Sequence, residues 1–118
     1  YIAIQTISSS GKSGMTLYRK SDGQKIKTIT SNCSYYEFID NTFYYVEPIA
    51  EFKYKIKSYN IEKKKTITYG TIKANEFGAI TSKYLYYSNG PMIGECKYYK
   101  YSFAKKKSIR ITEEAFQY

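Results

Sequence analysis

An all-β chain of short antiparallel strands is predicted by three observations. The 118 residues hold 16 Tyr and 6 Phe, many Ile and Thr, and only 2 Pro, a composition that favours pleated, half-buried surfaces. Apolar and polar residues alternate with a period of two: in "KYKIKSY" (53–59) Tyr54 and Ile56 interleave with Lys53, Lys55 and Lys57, and in "KKTITY" (64–69) Thr and Ile alternate, as half-buried strands do. Helical spacing is sustained nowhere. The third observation is self-similarity at a shift of 42 residues, which sets architecture before any motif does.

That shift lays "IKSYNIEKKKTI" (56–67) on "YYKYSFAKKKSI" (98–109) without a gap, matching Tyr59 to Tyr101 and Ile61 to Phe103. Lys63, Lys64 and Lys65 fall on Lys105, Lys106 and Lys107, and Phe43, Tyr44 and Tyr45 on Leu85, Tyr86 and Tyr87. A third copy, shifted by 38, lays "YRKSDGQKIKTIT" (18–30) on "IKSYNIEKKKTIT" (56–68).

The elements follow in chain order. "YIAIQTI" (1–7) reads as the second strand of an incomplete unit, and "SSSGKSG" (8–14) as the hairpin loop after it. The middle unit divides into strands at 33–39, 42–47, 53–60 and 64–70, separated by "DN", by the loop "EPIAEF" and by a turn at "IEKK". The last unit repeats the order at 75–81, 84–89, 96–103 and 107–112, and "EEAFQY" (113–118) opens a further inner strand. Four strands in forty-odd residues is the signature of a propeller blade. Residues 1–118 are therefore expected to form one β-repeat region: a partial blade over 1–30, blades over 31–70 and 71–112, and the start of another strand at 113–118.

"YYVE" (44–47) and "YYSN" (86–89) resemble the Tyr-Trp-Thr-Asp strand of YWTD-type six-bladed propellers. "LYRKSDGQKI" (17–26) is similar to the strand and Asp-Gly hairpin that follow that motif there and in TolB-like bacterial propellers. The Trp is missing, the Asp is replaced by Glu47 or Asn89, and the Asp-Gly turn survives at Asp22 and Gly23, with Asn60-Ile61 and Ser102-Phe103 expected in its place elsewhere. The resemblance implies a propeller-type domain of bacterial style, plausible for export or the cell surface. About three blades cannot close a ring, since propellers typically have four to eight. The expectation is either a piece of a longer propeller or a chain that associates with copies of itself, because unpaired strand edges invite partners.

Enzyme chemistry is not expected. The chain has no His, no Gly-rich phosphate loop and no nucleophile elbow, and Asp22, Glu37, Asp40, Glu47 and Glu51 form no acid and base pair. "SSSGKSG" lacks the first Gly of a phosphate-binding loop. No cofactor or metal is implied, Cys33 and Cys96 being too few for a zinc site, and both are expected as free thiols, Cys33 on an inner strand and Cys96 on an outer one. No apolar stretch approaches the roughly 18 residues of a membrane span.

What remains is charge. Nineteen basic against ten acidic residues give a net charge of +9, a field that draws anions or keeps a sticky sheet protein soluble. Lys63, Lys64, Lys65, Lys105, Lys106 and Lys107, with Lys25 and Lys27 as a weaker set, occupy one hairpin of each unit and would gather on one face. Most tyrosines are expected to pack between blades. The predicted function is a non-catalytic binding or scaffolding module for a protein or cell-surface ligand, its variable loops "TIKANEF", "EPIAEF" and "NGPMIGE" forming the recognition face. Two alternatives stand beside it: a binder of polyanions (cell-wall polymer, lipid headgroup or nucleic acid) using the lysines, and a fragment of a propeller enzyme whose active residues lie elsewhere.

Overall fold

The computed structural model describes residues 1–7, 9–11, 13–29, 32–90 and 96–111. Of these, 69% lie in strands and none in a helix. Eleven strands succeed one another: β1 (Ile2–Ile7), β2 (Ser13–Tyr18), β3 (Lys25–Ile29), β4 (Tyr35–Ile39), β5 (Thr42–Ala50), β6 (Lys53–Asn60), β7 (Lys65–Lys73), β8 (Glu76–Ile80), β9 (Tyr84–Asn89), β10 (Lys97–Ser102) and β11 (Lys107–Ile111). They form three antiparallel sheets in chain order, β1-β2-β3, β4-β5-β6-β7 and β8-β9-β10-β11. Each strand therefore pairs only with its sequence neighbours, as short hairpin connections allow.

The second and third sheets share a register. Phe43 opposite Tyr59 becomes Leu85 opposite Tyr101, and Val46 opposite Ile56 becomes Ser88 opposite Tyr98, each 42 positions on. The first sheet keeps the pattern at a different offset: Ile2 faces Tyr18 and Ile4 faces Thr16, 41 positions before the pairs Phe43 with Tyr59 and Tyr45 with Lys57. This corrects the expected shift of 38, which set Tyr18 on Ile56. Tyr18 ends β2 beside its turn, whereas Ile56 lies mid-strand in β6. The offset of 41 holds across the turn as well, Tyr18 with Lys25 standing 41 positions before Tyr59 with Thr66.

The sheets pack face to face through two cores. Met15, Leu17 and Ile29 of the first sheet meet Phe43, Tyr45 and Tyr59 of the second, with Ile61 at its turn. On the other face of the second sheet, Val46, Ile56, Ile72 and Ala74 meet Leu85, Tyr87, Tyr101 and Phe103. The strand period of two explains how one sheet serves both: Phe43 and Tyr45 point one way, Tyr44 and Val46 the other. Hence "FYYV" reads as continuous apolar sequence, the mark of a strand covered on both sides. Burying a Phe43 or Leu17 completely stabilises the fold by about 1.5–3 kcal/mol each.

Expected bounds at 53–60 and 84–89 coincide with β6 and β9. β5 and β7 run further than expected, while β4, β8 and β10 are shorter than the expected 33–39, 75–81 and 96–103. "EPIAEF" is not a loop: β5 continues to Ala50, and Glu51 and Phe52 alone make the turn into β6. Pro48 is tolerated because β4 pairs β5 only as far as Val46, leaving the missing N–H on an open edge. "TIKANEF" shrinks likewise, β7 continuing through Lys73. Cys33 precedes β4 and Cys96 precedes β10, rather than lying within strands, and neither is in a disulfide, as expected. Part of "NGPMIGE" (residues 91–95) and the strand expected at 113–118 lie outside the described residues.

Candidate functional site

The turns after β6 and β10 are built alike. Asn60 Oδ1 accepts the Lys63 N–H at 2.8 Å and Ser102 Oγ accepts that of Lys105 at 3.1 Å, a side-chain closure that Asn and Ser favour. Ile61 N donates to the Asn41 carbonyl at 2.7 Å, and Phe103 N to that of Lys83 at 3.2 Å. These bonds tie each turn to the loop at the same end of its own sheet while the Ile61 and Phe103 side chains anchor in the cores. Lys64 and Lys106 then both adopt φ of 54°, a left-handed conformation that costs a lysine energy and suits glycine. In the first sheet that position is glycine: Gly23, at φ 71°, donates to the Arg19 carbonyl as Lys106 does to that of Ser102, both at 2.8 Å. Asp22 and Gly23 thus correspond to Lys63-Lys64 and Lys105-Lys106, not to Asn60-Ile61 and Ser102-Phe103 as the sequence comparison expected.

Lys63, Lys64, Lys65, Lys105, Lys106 and Lys107 are all exposed. Phe103 rests on Tyr44, with ring centroids 4.6 Å apart, and Tyr44 lies only two positions along β5 from Thr42, which pairs with Asn60 at the lysine turn. Both turns therefore project from one end of the stack. Among the described residues the ion pairs are Arg19 with Asp22 at 3.3 Å and Lys57 with Glu47 at 2.7 Å, so neither lysine triplet forms an ion pair with a described carboxylate, and Glu62, just before Lys63, accepts from Asn41 at 3.5 Å.

The weaker lysines behave differently. Lys25 and Lys27 sit on β3 rather than at its turn, and Lys27 Nζ lies 5.3 Å from the centre of the Tyr59 ring. The first turn carries Asp22, whose carboxyl is held below its ordinary range by the Gln24 N–H, with the Arg19 guanidinium adding to the effect. Its charge is opposed by that of Arg19, and Lys20 of the same turn is exposed.

Two features escaped the sequence reading. Glu47 and Lys57 form an ion pair on the face of the second sheet turned toward the first, their side chains only 13% and 24% exposed. Glu47 follows Tyr45 at a spacing of two and so shares its core-facing side, which requires a partner; that alternation was the available signal. Cys33 lies near this pair, its thiol pushed up to about 12, first by burial and then by the Glu47 charge. The second feature is a hollow of about 220 Å³ on the outer face of the third sheet, lined among others by Glu76, Tyr86, Ser88, Tyr98 and Ile111. Among the described residues no group of three or more His, Cys, Asp or Glu could hold a metal ion.

The chain matches no family model, no curated protein and no solved structure.

Proposed function

We propose that the three sheets are blades of a propeller-type stack and that the chain is a non-catalytic binding or scaffolding module whose lysine-bearing end meets its ligand. The observation that carries this reading is the matched pair of turns, which hold Lys64 and Lys106 in the same strained conformation and carry two lysine triplets with no described ion pair. The resemblance of "YYVE" and "YYSN" to the YWTD strand supports the same architecture. A protein or cell-surface ligand with an acidic surface suits this end, because a field of one sign concentrates the opposite charge.

The same observation favours a polyanion as a second reading. Anionic cell-wall polymer, lipid headgroups and nucleic acid all offer phosphate-like charge to closely spaced lysines. With six lysines engaged, affinity for a phosphate-rich polymer falls about 10³-fold between about 50 and about 200 mM salt. Titrating labelled polyphosphate into the protein across that range tests both readings. A steep slope, roughly halved by replacing Lys105, Lys106 and Lys107 with Gln, supports the polyanion. A flat response with retained binding to an acidic protein surface excludes it and keeps the module reading, and no salt-sensitive binding to either anion removes the lysine end from function.

A further inference from the structure

The turns at the lysine end of the second and third sheets are one frame carrying different charge. In the second sheet Ile61 N donates to the Asn41 carbonyl at 2.7 Å, and in the third, 42 positions on, Phe103 N donates to that of Lys83 at 3.2 Å. Each bond joins the turn that bears a lysine triplet to the neighbouring turn of the same sheet. On this common frame Asp40, Asn41 and Glu62 are replaced by Ser82, Lys83 and Ala104. Three lysines against two carboxylates thereby become four lysines against none.

Lys83 is exposed, as are Lys105, Lys106 and Lys107. The backbone bond holds Lys83 against Phe103, two residues from Lys105, so the four charges gather at the end of a single sheet. Lys100 Nζ, 4.5 Å from the centre of the Tyr84 ring, adds a further charge beside them. Among the described residues of the third sheet the one carboxylate is that of Glu76, which opens β8 at the opposite end. The turns at the lysine end, 19–24, 40–41, 61–64, 81–83 and 103–106, consist wholly of described residues.

The composition of this patch indicates the kind of anion. Contact surfaces between proteins are enriched in aromatic residues and Arg and depleted in Lys, whereas lysines act on phosphate as point charges. Ser82, exposed next to Lys83, brings a hydroxyl of the kind that donates to phosphate oxygens. A flat anionic surface laid across this end would also press on Asp22, Asp40 and Glu62, all exposed. A flexible polymer can follow one sheet and avoid them.

We infer that the anion site lies on the third sheet alone, formed by Lys83, Lys105, Lys106 and Lys107, and that its ligand is a linear polymer of phosphate groups. Lys83 belongs to neither triplet and joins the site because a hydrogen bond between two turns, rather than proximity in sequence, brings it there. This inference rests on the lysine-end binding proposed above and narrows it from two triplets to one pair of turns.

Labelled linear polyphosphate, titrated into the protein between about 50 and about 200 mM salt, gives the slope of log affinity against log salt, to which each engaged lysine contributes about 0.7. Lys83→Gln and Lys106→Gly are each expected to lower the slope by about that amount. The glycine suits the positive φ of position 106, so it removes the charge without harming the fold. Replacing Lys63, Lys64 and Lys65 together with Gln is expected to lower the slope by less than one such contribution. Polyglutamate and phosphatidylglycerol vesicles, at equal concentration of charge, are expected to bind more weakly than polyphosphate. Equal losses from the two triplets, an unchanged slope in Lys83→Gln, or tighter binding of polyglutamate or vesicles overturns the inference and leaves the lysine end as a binding face. No salt-sensitive binding to any of the three probes overturns both.

Discussion

Phe103 lies against Tyr44 with ring centroids 4.6 Å apart and planes 28° from parallel, although the two residues belong to different sheets. Phe103 leaves the end of β10 at a turn and reaches back onto the neighbouring sheet, where it also meets Tyr69. Stacked and tilted rings at such spacing add about 0.5–1.5 kcal/mol per pair to the area they bury. Phe103→Ala is therefore expected to destabilise the protein by about 3–5 kcal/mol, as large-to-small changes in packed cores do. Urea unfolding measures it; a loss below about 1 kcal/mol would show that the contact carries little of the stack.

The two strained lysines supply a change of opposite sign. Lys64→Gly and Lys106→Gly are each expected to stabilise the fold by about 0.5–1 kcal/mol, the relief of a left-handed side-chain clash less the entropy that glycine brings to the unfolded chain. The turns are well separated along the chain and share no hydrogen bond, so the double variant should be nearly additive. A lowered thermal midpoint in both single variants would contradict the backbone reading.

Removing one member of the half-buried Glu47 and Lys57 pair leaves the other charge poorly solvated. Lys57→Met alone is expected to cost about 2 kcal/mol, less than a fully buried pair because part of each side chain still reaches water. Adding Glu47→Gln should recover at least half of the loss, since the stranded charge is then gone. Equal destabilisation in the single and double variants would place the effect in packing instead.

Burial raises Tyr44, Tyr45, Tyr87 and Tyr101 above the ordinary phenol value, in each case as the leading cause. These groups favour the protonated form when folded, so the unfolded chain gives up its protons first as pH rises. The stability they contribute is complete below about pH 10, the unfolded phenol value, and falls as pH climbs through the raised folded values. Ultraviolet titration should show these tyrosines ionising after the exposed ones and together with loss of structure, and Tyr45→Phe should lessen the alkaline loss. A single titration step near pH 10 in a protein that stays folded would disprove it.

The Cys33 thiol, pushed up to about 12, holds only about one thiolate in 10⁴ at pH 8, and the thiolate is the reactive species. Alkylation of Cys33 in the folded protein should be at least about 100-fold slower than in urea, as peptide mapping of labelled protein would show. Comparable rates in the two states would mean that the burial around Glu47 and Tyr45 is not maintained in solution.

Strand existence and pairing order were legible because they depend on local rules. The alternation in "KYKIKSY" bounded β6, and the turn residues around "YLYYSN" bounded β9. Pro48 misled, since a proline inside a strand normally argues against one, and only the short reach of β4 along β5 makes it acceptable. The offset of the first sheet was hidden for a related reason: Asp22-Gly23 announces its turn, but its counterparts are lysines at positive φ, residue types that carry no turn signal. The lysine triplets could be found from composition alone. The outer hollow could not, because it depends on how strand pairing brings Tyr86, Tyr98 and Ile111 together rather than on any one residue.

The strict succession of the strands bears on how the polypeptide acquires its shape. Among the described residues no β-ladder waits for a distant stretch of chain, so each of these sheets can zip up by hairpin closure, the cheapest loop entropy available to a β protein. Only docking spans longer separations, and it always joins a finished meander to the one made just before it. Synthesis from the amino end would then deliver the layers in working order, each newly emerged sheet using its predecessor as the template on which its tyrosines settle.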